Sequence, residues 1–191
     1  MVCQWDSANI LSSMKNKKVD GKIRVTILVE LELIQWHHAK EDFDSHYFFQ
    51  QDPDVKGAYI RTPGDSMDGA IIWTREWSER NGILKGCMYI LRLFVNGDSH
   101  TKQFGTIHSL LRAAVLEARR WQIDEVQIWN PDNLILEAAK QNFSESQLEI
   151  IREPPDDRIA CLAWYGGNIY GNEKVTPDDI IWLANEKYCY C

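Results

Sequence analysis

Residues 87–129, CMYILRLFVNGDSHTKQFGTIHSLLRAAVLEARRWQIDEVQIW, leave the fewest folding options open. Met88 to Val95 is an apolar run broken only by Arg92, which suits a strand covered on both faces at the middle of a sheet. Asn96 to Gln103 then carries polar turn chemistry. Ile107, Leu110, Leu111, Ala114, Ala118 and Trp121 recur at the spacing of one helical face, predicting a helix from about Thr106 to Trp121. Val126 to Trp129, closed by Asn130-Pro131, reads as a second strand. Strand, loop, helix and strand make a crossover unit, expected to be right-handed with its outer strands parallel. The loop entering the helix lies where unpaired N–H groups and the helix dipole can receive an anion such as a phosphate.

The order of these parts resembles the GNAT acyltransferase fold, whose central strand and following helix hold the pyrophosphate of acyl-CoA. That family's loop reads Gln/Arg-x-x-Gly-x-Gly/Ala. Lys102, Gln103, Phe104, Gly105, Thr106 and Ile107 stand here, so Gly105 matches and Ile107 departs. The resemblance implies an acetyl-CoA site made by the strand backbone at Phe94 and Val95, the loop residues Lys102, Gly105 and Thr106, and Asn130 after the second strand. With Ile107 in place of a small residue, weak affinity depending on the Lys102 charge is expected.

The remaining chain extends a single domain over residues 22–191, behind a loosely ordered leader over 1–21 that lacks sustained periodicity. Its 191 residues, 45% of them hydrophobic and including eight tryptophans, suffice for a real core. A net charge of −7 without a basic stripe argues against nucleic acid as a partner. No apolar run approaches a membrane span and the first residues lack a signal-peptide core, giving a cytoplasmic expectation. Five scattered cysteines contain no CxxC pair and suggest reduced thiols, with Cys87 and Cys161 as small core residues and no metal.

Lys22 to Val29 alternates as a strand, and Glu30 to Phe49 reads as a helix carrying Trp36-His37-His38-Ala39-Lys40-Glu41-Asp42. His37 and Glu41, and His38 and Asp42, are four apart, so each histidine can meet a carboxylate. His38, sharing a stripe with Leu31 and Ile34, is expected to face inward, and His38 or Glu41 is the candidate base. Packing of one histidine and solvation of the other is the plainer alternative. Lys56 to Arg61 and Ala70 to Trp77 predict a hairpin leading to the central strand, so the sheet is mixed. A helix over Asp132 to Gln141 follows, then a hairpin of Leu148 to Arg152 with Arg158 to Trp164. Thr176-Pro177-Asp178-Asp179 predicts a short docked helix over Ile180 to Asn185. The fold class is therefore α/β (α+β), with a mixed central sheet, a crossover unit and a C-terminal hairpin.

WHHAKEDF, KGAYI, MYILRLFV, IWNPDN, CLAWYGG and the terminal NEKYCYC, in that order, resemble the C-terminal region of the fungal lysine N6-acetyltransferases of lysine catabolism. Those enzymes carry a separate N-terminal acetyltransferase half with no counterpart here. The resemblance implies an acyl-CoA-dependent N-acyltransferase of a small, lysine-like amine. The usual GNAT acid is a tyrosine on the helix after the Asn-bearing strand; Asp132 to Gln141 has none, leaving Tyr165 as the candidate acid. The alternative is a domain that has lost CoA and binds or transforms a small molecule in an aromatic pocket of Trp36, Trp73, Trp129 and Trp164, which could equally be core packing. A homo-oligomer stays open.

Overall fold

The computed structural model describes residues 2–15, 22–62, 67–97, 99–143, 147, 149 and 176–189. Its main sheet runs β2 (Gly57–Arg61), β3 (Met67–Arg80), β4 (Ile83–Val95) and β5 (Glu125–Ile128) in spatial order 2-3-4-5. The first three strands are antiparallel, and β5 joins β4 in parallel with Cys87 opposite Glu125 and Ile90 opposite Ile128. Asn81 and Gly82, both at positive φ, form the two-residue turn between β3 and β4, which matches the twist of the paired strands. The hairpin is thus longer at its turn end than the apolar runs predict, because Ser78 and Glu79 pair with Lys85 and Leu84 while all four stay exposed.

β4 is the middle of the fold. Helix α3 (His100–Arg120) and helix α4 (Asn133–Asn142) cover one face. Ile107, Leu110, Leu111, Ala114 and Ala118 of α3 form one core with Ile71, Trp73, Met88, Ile90 and Leu93. At about 25 cal/mol per Å² of apolar surface, such a contact dominates the stability of this half.

Helix α1 (Val2–Lys15) and helix α2 (Leu31–Phe49) belong to the other face, with Cys3, Ile10, Val29, Ile34, Leu91 and Tyr188 in a second cluster. The expected loose leader is therefore corrected over residues 2–15. Cys3, Asp6 and Ile10 are buried at helical spacing, and Asp6 takes a bidentate pair from Arg92 at 2.7 and 2.9 Å. An acid at the centre of the stripe hides its periodicity, yet it is the partner Arg92 needs inside the central strand.

A separate parallel pair joins β1 (Ile23–Val25) to β6 (Ile180–Trp182), Ile23 opposite Ile180. The expected strand over Lys22 to Val29 is shortened to three residues. The docked helix over Ile180 to Asn185 is replaced by a strand: the Thr176-Pro177-Asp178-Asp179 cap makes only one 3-10 turn, Pro177–Asp179, before Ile180-Ile181-Trp182 extends. The predicted hairpin of Leu148 to Arg152 with Arg158 to Trp164 lies outside the described residues. Among the described residues no helix is long and apolar enough to cross a membrane, and no group of His, Cys, Asp and Glu could hold a metal.

Candidate functional site

A cleft opens where β4 and β5 part. Trp73 pairs with Ile90 and Ile72 with Arg92, so Leu91 is an extra residue on β4, a bulge beside the last parallel pair Ile90–Ile128. Beyond it, Arg92 to Val95 lose β5 as a neighbour, and a space of about 600 Å³ lies between them and Ile128 to Asp132. Gln103 and Ile107 of α3, Leu134 and Ile135 of α4, and Trp182 and Ala184 to Glu186 complete its walls. Of the sequence candidates, Phe94, Val95, Asn130 and Trp129 line this cleft.

The three loop candidates stand elsewhere, because α3 begins six residues before the predicted start. Ser99 caps it, its hydroxyl accepting from the Lys102 N–H at 3.2 Å, so Lys102 to Ile107 are helical rather than a loop. Lys102 Nζ is 2.6 Å from Asp68 and is already paired. Thr106 is buried against β3: a Cβ on Gly69 would fall 2.8 Å from its Cγ2, so only glycine lets the helix sit that close. Gly105 is exposed, and a Cβ there would meet nothing within 4 Å.

His38 and Glu41 are not at the cleft. β2 ends opposite Ile72, and α2 serves the bare edge of β3 beyond it. His38 Nε2 donates to the Trp73 carbonyl at 3.0 Å, the Thr74 hydroxyl donates to the His37 carbonyl at 3.3 Å, and the Arg75 N–H donates to Glu41 Oε1 at 3.0 Å. Arg75 Nη1 reaches the same carboxylate at 2.5 Å, and its Nη2 reaches Glu117 at 2.6 Å. Glu41 is fully buried, and burial pushes its pKa up against the opposing pull of Arg75. Burial likewise lowers His38 to about 4, so at neutral pH it is uncharged with its Nε2 proton committed to Trp73. Neither residue is placed as a base for the cleft.

The expected orientation of α2 is also corrected. Ile34, His37, Glu41 and Ser45 form the buried stripe, while Leu31 is exposed and His38 half-buried. The predicted histidine–carboxylate pairs do not form, since Glu41 turns to Arg75 and Asp42 to Lys56. Nor do the tryptophans converge: Trp36 is half-exposed on α2, Trp73 is core and donates to the Val55 carbonyl at 3.1 Å, and Trp129 alone of the described three reaches the cleft. Trp164 and Tyr165 lie outside the described residues, as does Cys161. Cys87 has its thiol pushed up to about 12, chiefly by burial, which removes it as a nucleophile.

Comparison with known families gives a match over residues 1–191 to the family described as the LYC1 GNAT-like C-terminal domain. The chain belongs to that family. The α/β fold with its mixed central sheet is GNAT-like. No match emerges among curated protein sequences. Solved structures similar to this GNAT-like domain include TTHA1254 from Thermus thermophilus, 18% identical over 54% of this chain and 73% of that one, with a TM-score of 0.38. Another is an aminoglycoside N-acetyltransferase AAC(6')-Iy in complex with CoA, 16% identical over 69% of this chain and 93% of that one, TM-score 0.37. A probable acetyltransferase is 12% identical over 67% and 95% of the two chains, also with a TM-score of 0.37. At these scores the similarity assigns no activity to this chain.

The feature of this GNAT-like domain that sequence reading missed is its tail. After β6, Ala184 turns in the left-handed region at φ 51, a conformation costing a non-glycine residue about 1–2 kcal/mol, and brings Glu186 back to β4. There Glu186 accepts the Leu93 N–H at 2.8 Å and a second bond from Arg92, while Asn130 Nδ2 donates to the Asn185 carbonyl at 2.7 Å. Burial raises the Glu186 pKa, with Arg92 opposing. For Arg92, burial would lower the pKa, but the carboxylates of Asp6 and Glu186 outweigh it and raise the value. The lone arginine in an apolar strand was the available signal: its partners had to come from elsewhere in the chain.

Proposed function

We propose that this domain is an acyl-CoA-dependent N-acyltransferase of a small amine, working in the cleft between β4 and β5. The observation that carries the reading is the parting of these strands at the Leu91 bulge, which leaves the β4 edge from Arg92 to Val95 beside an open cleft. A strand edge of this kind receives an extended, amide-bearing chain such as pantetheine as if it were another strand. Phe94 and Val95 would hold that arm, and Asn130 and Trp129 would face it across the cleft. The open flank of α3 at Gly105 leaves room for a pyrophosphate, with Lys102 three residues away on the same helix as its cation. Bound acyl-CoA supplies an acyl group as a thioester.

The chain's own contribution is to hold the acceptor amine against that group and keep water out, which can supply several kcal/mol of the barrier. The acceptor is a small amine, lysine-like on the family resemblance. Because Lys102 is already paired to Asp68 and Ile107 is core, affinity for acetyl-CoA is expected to be weak and salt-dependent. Calorimetric titration of acetyl-CoA into wild type and Lys102→Ala at two salt concentrations tests this. Weak binding, further reduced by the mutation and by salt, supports the reading; tight binding indifferent to both defeats the role of Lys102.

One observation favours a second reading, a small-molecule binding or cofactor-independent domain without CoA: Glu186 already holds the Leu93 N–H. Absence of any acetyl-CoA binding by wild type and by Glu186→Gln would select it.

A further inference from the structure

We propose that Tyr89 and Trp129 form an ammonium-binding site that this chain fills with its own Lys187, and that a primary alkylammonium ion can occupy it once the lysine side chain is removed. The Lys187 Nζ lies 4.9 Å from the centroid of each ring. Tyr89 stands opposite Gln127 in the β4–β5 pairing, and Trp129 is two residues beyond Gln127, so both side chains project from the same face of the sheet. Lys187 is only 6% exposed, and among the described residues no carboxylate lies within ion-pair distance of it. An ammonium withdrawn from water without a counter-charge needs another source of stabilisation, and two aromatic ring faces supply it through their quadrupoles.

The backbone around this lysine is held by its neighbours rather than by its own side chain. Glu186 is fixed to the Leu93 N–H at 2.8 Å, and the Tyr188 hydroxyl donates to the Ile27 carbonyl at 2.6 Å with Tyr188 almost fully buried. Truncating Lys187 therefore leaves a vacated slot between the rings instead of releasing the tail. Tyr89 and Trp129 are both only half-buried, so the slot lies close to solvent. The fitting ligand class is a primary ammonium on a short, unbranched alkyl stem, which is what the lysine side chain itself presents. The inference stands apart from the acyl-CoA reading, and its test contains no CoA.

The test is chemical rescue, read as thermal midpoint. Lys187→Ala is expected to melt below wild type, and n-butylammonium chloride at millimolar concentration to raise its midpoint saturably by about 2–4 °C, the shift equivalent to about 1 kcal/mol in a chain of this size. Sodium chloride and n-butanol should not reproduce the rise, wild type should not respond, and Trp129→Leu in the Lys187→Ala background should abolish it. An equal rise with n-butanol would mean an apolar hole and overturn the proposal, as would no response to the amine. Should Lys187→Ala not fold, Lys187→Met decides: it keeps the stem and drops the charge. A midpoint below wild type supports the ammonium site, and one equal to or above it overturns the site.

Discussion

The two faces of the sheet are docked by different physics. On one, α3 and α4 meet β3 and β4 chiefly through Ile107, Leu110, Leu111, Ala114 and Ile135, with Glu117 of α3 on Arg75 as the ionic exception. On the other side and along the β3 edge, α1, α2 and the tail hold on through Asp6 with Arg92, Glu41 with Arg75, and Glu186 with Leu93 and Arg92, beside a smaller apolar cluster. Apolar contact is non-directional and tolerates small shifts, whereas a buried carboxylate on a guanidinium or a strand N–H fixes register and fails sharply when one partner goes. The cleft sits at the junction of the two modes, which gives it one wall of each kind.

The largest expected effect tests that contrast directly. Glu41→Ala leaves the Arg75 guanidinium buried against Glu117 alone and should cost about 3–5 kcal/mol in urea unfolding. The double replacement Glu41→Leu with Arg75→Met should recover much of that loss; a single-mutant cost below about 1 kcal/mol would erase the distinction between the faces. Next, Leu110→Ala on the apolar face should cost about 3 kcal/mol, unchanged between low and high salt.

A pH series separates the faces further. His38 has a folded-state pKa depressed by burial to about 4 from an ordinary 6.5, so the folded state binds fewer protons than the unfolded one between these values. Its stabilising contribution is complete above about 6.5 and is lost as pH falls toward 4. Glu41 and Glu186, raised by burial, act in the opposite sense: their contribution is present at acid pH and is lost as pH rises through their folded-state pKa values. His38→Gln should therefore flatten the acid-side decline, and a slope identical to wild type would remove His38 from this account. Smallest of all, Lys102→Ala should change stability by less than about 1 kcal/mol, since its pair with Asp68 is partly exposed on the lysine side.

These two modes also decide what could be read from the sequence. β4 and α3 were legible because their buried positions are apolar and keep the periods of a strand and a helix. α1 was not, because Asp6 occupies the centre of its stripe, and α2 was found but turned wrongly, because three of its four buried residues are His37, Glu41 and Ser45. Periodicity of hydrophobicity cannot see a face whose affinity for the sheet is ionic. The cleft itself was legible through Phe94, Val95, Trp129 and Asn130, which adjoin the strand ends. Glu186 and Lys187 were visible only as letters of a terminal motif, since their role depends on the turn at Ala184 and on partners far away in the chain.

The pairing of β1 with β6 has a kinetic consequence. Ile23 and Ile180 are brought together across most of the described chain, whereas β3 and β4 are joined by two residues. Loop-closure entropy places such a contact after the local hairpin and the crossover helix in the order of assembly. Trp182 lies in β6, so the fluorescence phase that Trp182→Phe removes should be the slowest step of refolding, the moment at which the tail closes over a sheet already formed.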